Sequence, residues 1–111
     1  MGQPSQPDLT GALDRLWIQF LPLIEERVSI LEAAAAARAD ESLAPALREE
    51  ARSAAHKLAG VLGTFGLAGG TTLAREAEEI CSSDPQDDPV TAERLSAIAF
   101  RLRTMLDSRK S

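Results

Sequence analysis

The chain holds a single histidine, His56, in the run Ala54-Ala55-His56-Lys57-Leu58-Ala59-Gly60-Val61-Leu62-Gly63-Thr64-Phe65-Gly66. A neutral imidazole keeps one nitrogen lone pair, and that nitrogen can attack electrophiles, phosphoryl groups among them. Its usefulness depends on where it points. Taking the run as a helix at about 100° per residue, Leu47, Ala51, Ala54, Val61, Leu62 and Phe65 all fall within roughly 60° of Leu58 and form one apolar stripe. On the same wheel His56 lies at roughly 160° from Leu58, with Glu49, Ser53, Gly60 and Gly63 around it. The histidine is therefore expected to face outward. Gly60 and Gly63 each cost about 1 kcal/mol relative to alanine inside a helix, and on an outer face they gain nothing from core packing. Position i+4 is a side chain's neighbour along the helix surface, so Gly60 leaves the imidazole clear on one side and lets another protein press close to it.

Other chemistry is scarce. The single cysteine, Cys81, allows neither an internal disulfide nor a zinc site built from several thiolates. It lies on the apolar side of its own helix and reads as a small buried hydrophobe. No metal site is expected, no Ser/His/Asp arrangement is supported, and Glu78-Glu79 reads as a solvated helix face.

The elements that would position His56 follow from periodicity. Leu9, Leu13, Leu16, Trp17, Phe20, Leu21, Ile24, Val28, Leu31 and Ala35 keep one helical phase, interrupted only by Pro22. Proline lacks the N–H that would bond to Ile18, so a kink is expected there, or a break into a short helix and a long one. Trp17, Phe20 and Phe65 read as core residues. Ser42, or Ala44 with Pro45 in the first turn, opens the next helix, which runs through Phe65. Gly66 suits the left-handed residue beyond a helix end, with Leu67 as its apolar partner. A third stretch carries Leu73, Ala77 and Ile80 and stops near Ser82-Ser83-Asp84-Pro85. Asp88 as N-cap and Pro89 then open the last, with Leu95, Ile98, Ala99, Leu102, Met105 and Leu106 inward. The expected fold is all-α, an up-down four-helix bundle with a short or kinked N-terminal helix preceding it, spanning residues 8–109 after a disordered lead-in at 1–7.

Composition narrows the function classes. At 111 residues, with 44% hydrophobic residues, the chain suffices for one core. Twelve Lys+Arg against 17 Asp+Glu give a net charge of −5, which argues against a nucleic-acid binder. Glu25, Glu26, Arg27 and Glu32 cut the longest apolar stretch well below membrane-spanning length, and the first residues lack the features of a secretory signal. A soluble cytoplasmic protein is expected, without nucleic-acid or membrane partners.

With these residues in place, the chain resembles the histidine-containing phosphotransfer (HPt) domains of two-component phosphorelays. Their usual pattern is alanine, histidine, any residue, leucine, lysine, glycine, then a later glycine and a leucine-rich next helix. Ala55-His56-Lys57-Leu58-Ala59-Gly60 matches at every place but one, and Gly66-Leu67 followed by Leu73-Ala74-Arg75-Glu76-Ala77-Glu78 continues the match. The resemblance implies that His56 accepts a phosphoryl group from a receiver-domain aspartyl phosphate and passes it to another receiver. It further implies a carrier rather than an enzyme, with no cofactor of its own, the Mg²⁺ belonging to the receiver. The implied partners are response-regulator receiver domains and hybrid sensor kinases, and a monomer is expected. The departure is Ala59, where the family usually has lysine. Arg52, at i−4, or Lys57, roughly 100° around the helix, is expected to supply the positive charge, with Gly60, Gly63 and Ser53 completing the binding surface. The alternative is an HPt-like docking or dimerisation bundle that is never phosphorylated.

Overall fold

The computed structural model describes residues 5–40, 43–82 and 89–110. Four helices follow one another: α1 (Ser5–Ala39), α2 (Pro45–Thr64), α3 (Ala68–Ser82) and α4 (Pro89–Lys110). Each packs on its neighbours in sequence, and α4 closes back on α1. This is the up-down bundle that short connections between amphipathic helices favour.

α1 runs unbroken through Pro22. Of the two outcomes expected at that proline, a break into separate helices is not seen. Proline removes one backbone hydrogen bond, but Trp17 before it and Ile24, Val28 and Leu31 after it share the same core, and that common burial holds the two halves in line. The helix begins at Ser5, inside the segment expected as a lead-in, and residues 1–4 lie outside the described residues. Ser42 and the expected cap Asp88 also lie outside them. Ala44 is the N-cap of α2, extended at φ −72° and ψ 149°, with Pro45 at the first helical position.

The end of α2 is fixed by a Schellman motif. Gly66 adopts φ +75°, its N–H donates to the Gly63 carbonyl at 3.0 Å, and the Leu67 N–H donates to Leu62 at 2.9 Å. The chain reverses there, so α3 returns antiparallel beside α2. Buried positions on these two helices are mostly small: Ala51, Ala54, Ala55 and Ala59 on α2, and Gly70, Ala74 and Ala77 on α3. Gly70 has a steric reason, since a Cβ there would meet Leu62 Cδ1 and Met105 Sδ at 2.9 Å.

The larger core side chains are Ile24, Val28, Leu31, Leu58, Leu62, Leu95, Ile98, Leu102 and Leu106, all essentially inaccessible. Trp17 packs edge-on against Phe65 at 5.2 Å and carries the Arg109 guanidinium 4.7 Å over its ring. Phe20 departs from expectation. It remains 40% exposed and meets Phe65 at the core margin, because it sits at the edge of the buried stripe, about 60° round α1 from Trp17. Ion pairs tie the outer faces: Arg103 to Glu32 across α4 and α1, and Arg94 to Glu76 across α4 and α3.

Cys81 is buried among core residues, and that burial pushes its thiol pKa upward. Both effects suppress the thiolate. Under native conditions Cys81 is expected to resist a thiol reagent such as dithionitrobenzoate, and to titrate as one thiol per chain only on unfolding. Rapid native reaction would contradict the burial.

Candidate functional site

The backbone register of the α2–α3 hairpin sets the site. The Thr71 hydroxyl donates to the Ala59 carbonyl at 3.1 Å, pinning the start of α3 against the last turns of α2. Running back along both helices from this point brings Glu78 beside His56. The two side chains, 22 positions apart, meet with His56 Nδ1 at 3.0 Å from Glu78 Oε2. The imidazole is outward, as the wheel required, at 71% side-chain exposure, whereas the Glu78 side chain is only 26% exposed.

A carboxylate can only accept a hydrogen bond, so the ring proton lies on Nδ1 in this arrangement. In the neutral ring, Nε2 then carries the lone pair. A contact from the next helix orients the ring and selects its tautomer. Sequence reading took Glu78 for a solvated charge and so missed it. A usable signal existed: in an antiparallel hairpin turning near Gly66, the position facing His56 falls at about 76–78 by reflection through the turn. Glu76 and Glu78 both satisfy that rule, and only the structure separates them, since Glu76 turns away to Arg94.

Arg52 lies one turn before His56 on the α3-facing side. Its Nε and Nη2 donate to Glu49 Oε2 and Oε1 at 2.9 and 2.6 Å, while Nη1 lies 3.9 Å from the same Glu78 oxygen that faces the imidazole. The guanidinium beside it holds the Glu49 carboxyl below the usual carboxylate range, and Glu49 in turn raises Arg52. Lys57 and Ser53 line an open groove between α1 and α2 with Leu23, Arg27 and Ile30, and Glu49 stands at the same groove. The two basic residues considered from sequence are thus separated, and only Arg52 joins the Glu78–His56 pair.

The two glycines also part company. A Cβ at Gly60 would meet nothing within 4 Å, so the fold places no steric demand on that position. The surface beside His56 is open there. A Cβ at Gly63, in contrast, would come 3.3 Å from Thr71 Oγ1, and close packing of α2 on α3 accounts for that glycine. Ala59 is buried at 7% exposure along the α3 side, where the Thr71 bond anchors its backbone.

Among the described residues no group of three or more His, Cys, Asp or Glu side chains is placed to hold a metal ion, and no helix is long and apolar enough to cross a membrane. Comparison with curated proteins gives no match, and comparison with solved structures gives none. The family model described as "Hpt domain" does match, over residues 15–111. That span takes in all of α2 and α3 with the His56–Glu78 pair, and nearly all of the bundle around them, so the chain belongs to the Hpt domain family.

Proposed function

We propose that this protein is a phosphorelay carrier in which His56 is the phosphoryl acceptor. The observation that carries the reading is the exposed imidazole held through Nδ1 by Glu78, with open space at Gly60 one turn away. Nε2 attacks the phosphorus of an aspartyl phosphate on a receiver domain. The N–P bond forms, the bond from phosphorus to the aspartyl oxygen breaks, and the electron pair leaves with the aspartate carboxylate. No proton has to move. The ring becomes a cation bearing the phosphoryl group on Nε2, its Nδ1–H still donated to Glu78, whose negative charge stabilises it. Transfer to a second receiver is the same step reversed.

This division of labour leaves little for the carrier to supply. Phosphoryl transfer through a loose transition state depends on in-line positioning and on neutralising the equatorial oxygens, and the receiver with its Mg²⁺ provides much of that. Arg52 is the cation on this side, one turn from His56, while Lys57 serves the α1–α2 groove. Every group of the site comes from one chain, so a monomer suffices, and the cytoplasm, where receivers and kinases operate, is the proposed compartment.

Incubation with receivers phosphorylated in the presence of Mg²⁺ tests the reading. Transferred label that is acid-labile and alkali-stable supports it. Acid-stable label, or none from any receiver, overturns it in favour of a docking bundle.

Glu78→Ala is expected to keep the fold and slow transfer. During transfer the ring becomes a cation and this bond joins two charges, worth about 1.5–3 kcal/mol, which corresponds to roughly ten- to a hundredfold in rate. Glu78→Gln retains an acceptor without the charge and should fall between the two. Single-turnover labelling measures both, and an unchanged rate in Glu78→Ala would remove Glu78 from the site.

A further inference from the structure

We infer that Glu49 is a built-in competitor for Arg52, holding its guanidinium in reserve until a phosphoryl group on His56 displaces it. The inference rests on the reading of His56 as the phosphoryl acceptor, and it concerns how the phosphorylated state of that site is set.

Glu49, Arg52 and His56 are spaced i, i+3 and i+7, which places them in order along one face of α2. The Nε and Nη2 edge of Arg52 is taken by both oxygens of Glu49, and its Nη1 side is turned towards Glu78, next to the imidazole. The guanidinium therefore stands between two anions with its fork committed to the one farther from the nucleophile. Glu49 is 66% exposed, so this pair is held in water-rich surroundings, where such contacts are weak and readily exchanged.

Phosphorylation changes the competition. A phosphoryl group on Nε2 brings two negative charges and three acceptor oxygens within one turn of Arg52, and the planar guanidinium fork matches that group as well as it matches a carboxylate. Ala59 offers no cation to compete for this role, and Lys57 faces the groove beside α1. Moving Arg52 from Glu49 to the phosphoryl group thus stabilises phosphohistidine by the difference between two ion pairs, and Glu49 sets the size of that difference. The acid acts as a brake that keeps the carrier from retaining its cargo.

The quantity to measure is the ratio of phosphorylated His56 to phosphorylated receiver at equilibrium, in the full chain and in Glu49→Gln, Arg52→Gln and the double variant. Releasing an exposed ion pair should raise the ratio about two- to fivefold in Glu49→Gln. Arg52→Gln should lower it, and the double variant should match Arg52→Gln because Glu49 acts through Arg52. Melting temperatures should stay close to that of the unaltered protein, as all these side chains lie at the surface. An unchanged or lowered ratio in Glu49→Gln overturns the inference. So does a double variant whose ratio exceeds that of Arg52→Gln, since Glu49 would then be repelling the phosphoryl group directly. Failure of the underlying reading looks different: no acid-labile label forms on the unaltered chain, or it persists in His56→Gln.

Discussion

Exchanging His56 for glutamine is expected to abolish the acid-labile label completely while leaving the bundle intact. The chemical half follows from the inventory of the site: the side chains beside the imidazole are the Glu78 carboxylate and the Arg52 guanidinium, and Gly60 has none. Glutamine has no nucleophilic lone pair on its amide nitrogen. The structural half follows from exposure. The imidazole is mostly in solvent, and in the unphosphorylated protein it bonds a partly exposed carboxylate, so its loss should cost no more than about 1 kcal/mol. Glutamine is also a good helix former, and its amide can donate to Glu78 in place of Nδ1–H. Circular dichroism and thermal melting should thus be nearly unchanged in a protein that accepts no phosphoryl group from any receiver. Residual label with the same acid lability would place the acceptor elsewhere and remove the basis for every statement about Glu78 and Arg52.

The outward direction of His56 was legible because it depends only on residues within one helix. Leu58, Leu62 and Ala51 mark the buried side within a few turns, and the angle to His56 follows from helical geometry. The turn at Gly66 was legible for a similar reason, since a glycine followed by a leucine at a helix end is a local signal. Glu78 was not, although it completes the site. Its nearness to His56 depends on the register of α3 against α2, which is set jointly by the Schellman turn, the Thr71 bond to Ala59 and the contact of Gly70 with Leu62. A slip of one residue would swing Glu78 away by about 100°. The close approach of Gly63 to Thr71 was hidden for the same reason, because Thr71 belongs to the other helix. Phe20 lies at the edge of the apolar stripe that spacing marks on α1, and a helix face is buried only where a partner covers it.

Leu58→Ala should do the opposite of His56→Gln. Leu58 sits two positions from the histidine and is wholly buried, so its side chain fills the bundle between residues of the other helices. Truncating a buried leucine removes its transfer free energy and leaves a cavity, a loss of about 2–5 kcal/mol. That is a large fraction of the roughly 5–15 kcal/mol that holds a domain folded. For a chain of this size it corresponds to a fall in melting temperature of roughly 8–20 °C, which thermal denaturation followed by circular dichroism would measure. Leu58→Met, which nearly conserves volume, should lose less than about 1.5 kcal/mol. Labelling should then track the folded population: close to normal in Leu58→Ala well below its melting point, and lost as the helices melt, with His56 untouched throughout. A Leu58→Ala protein that melts at the unaltered temperature would mean that Leu58 is not a core residue, and the outward direction of His56, fixed by the opposite face of the same helix, would lose its reference.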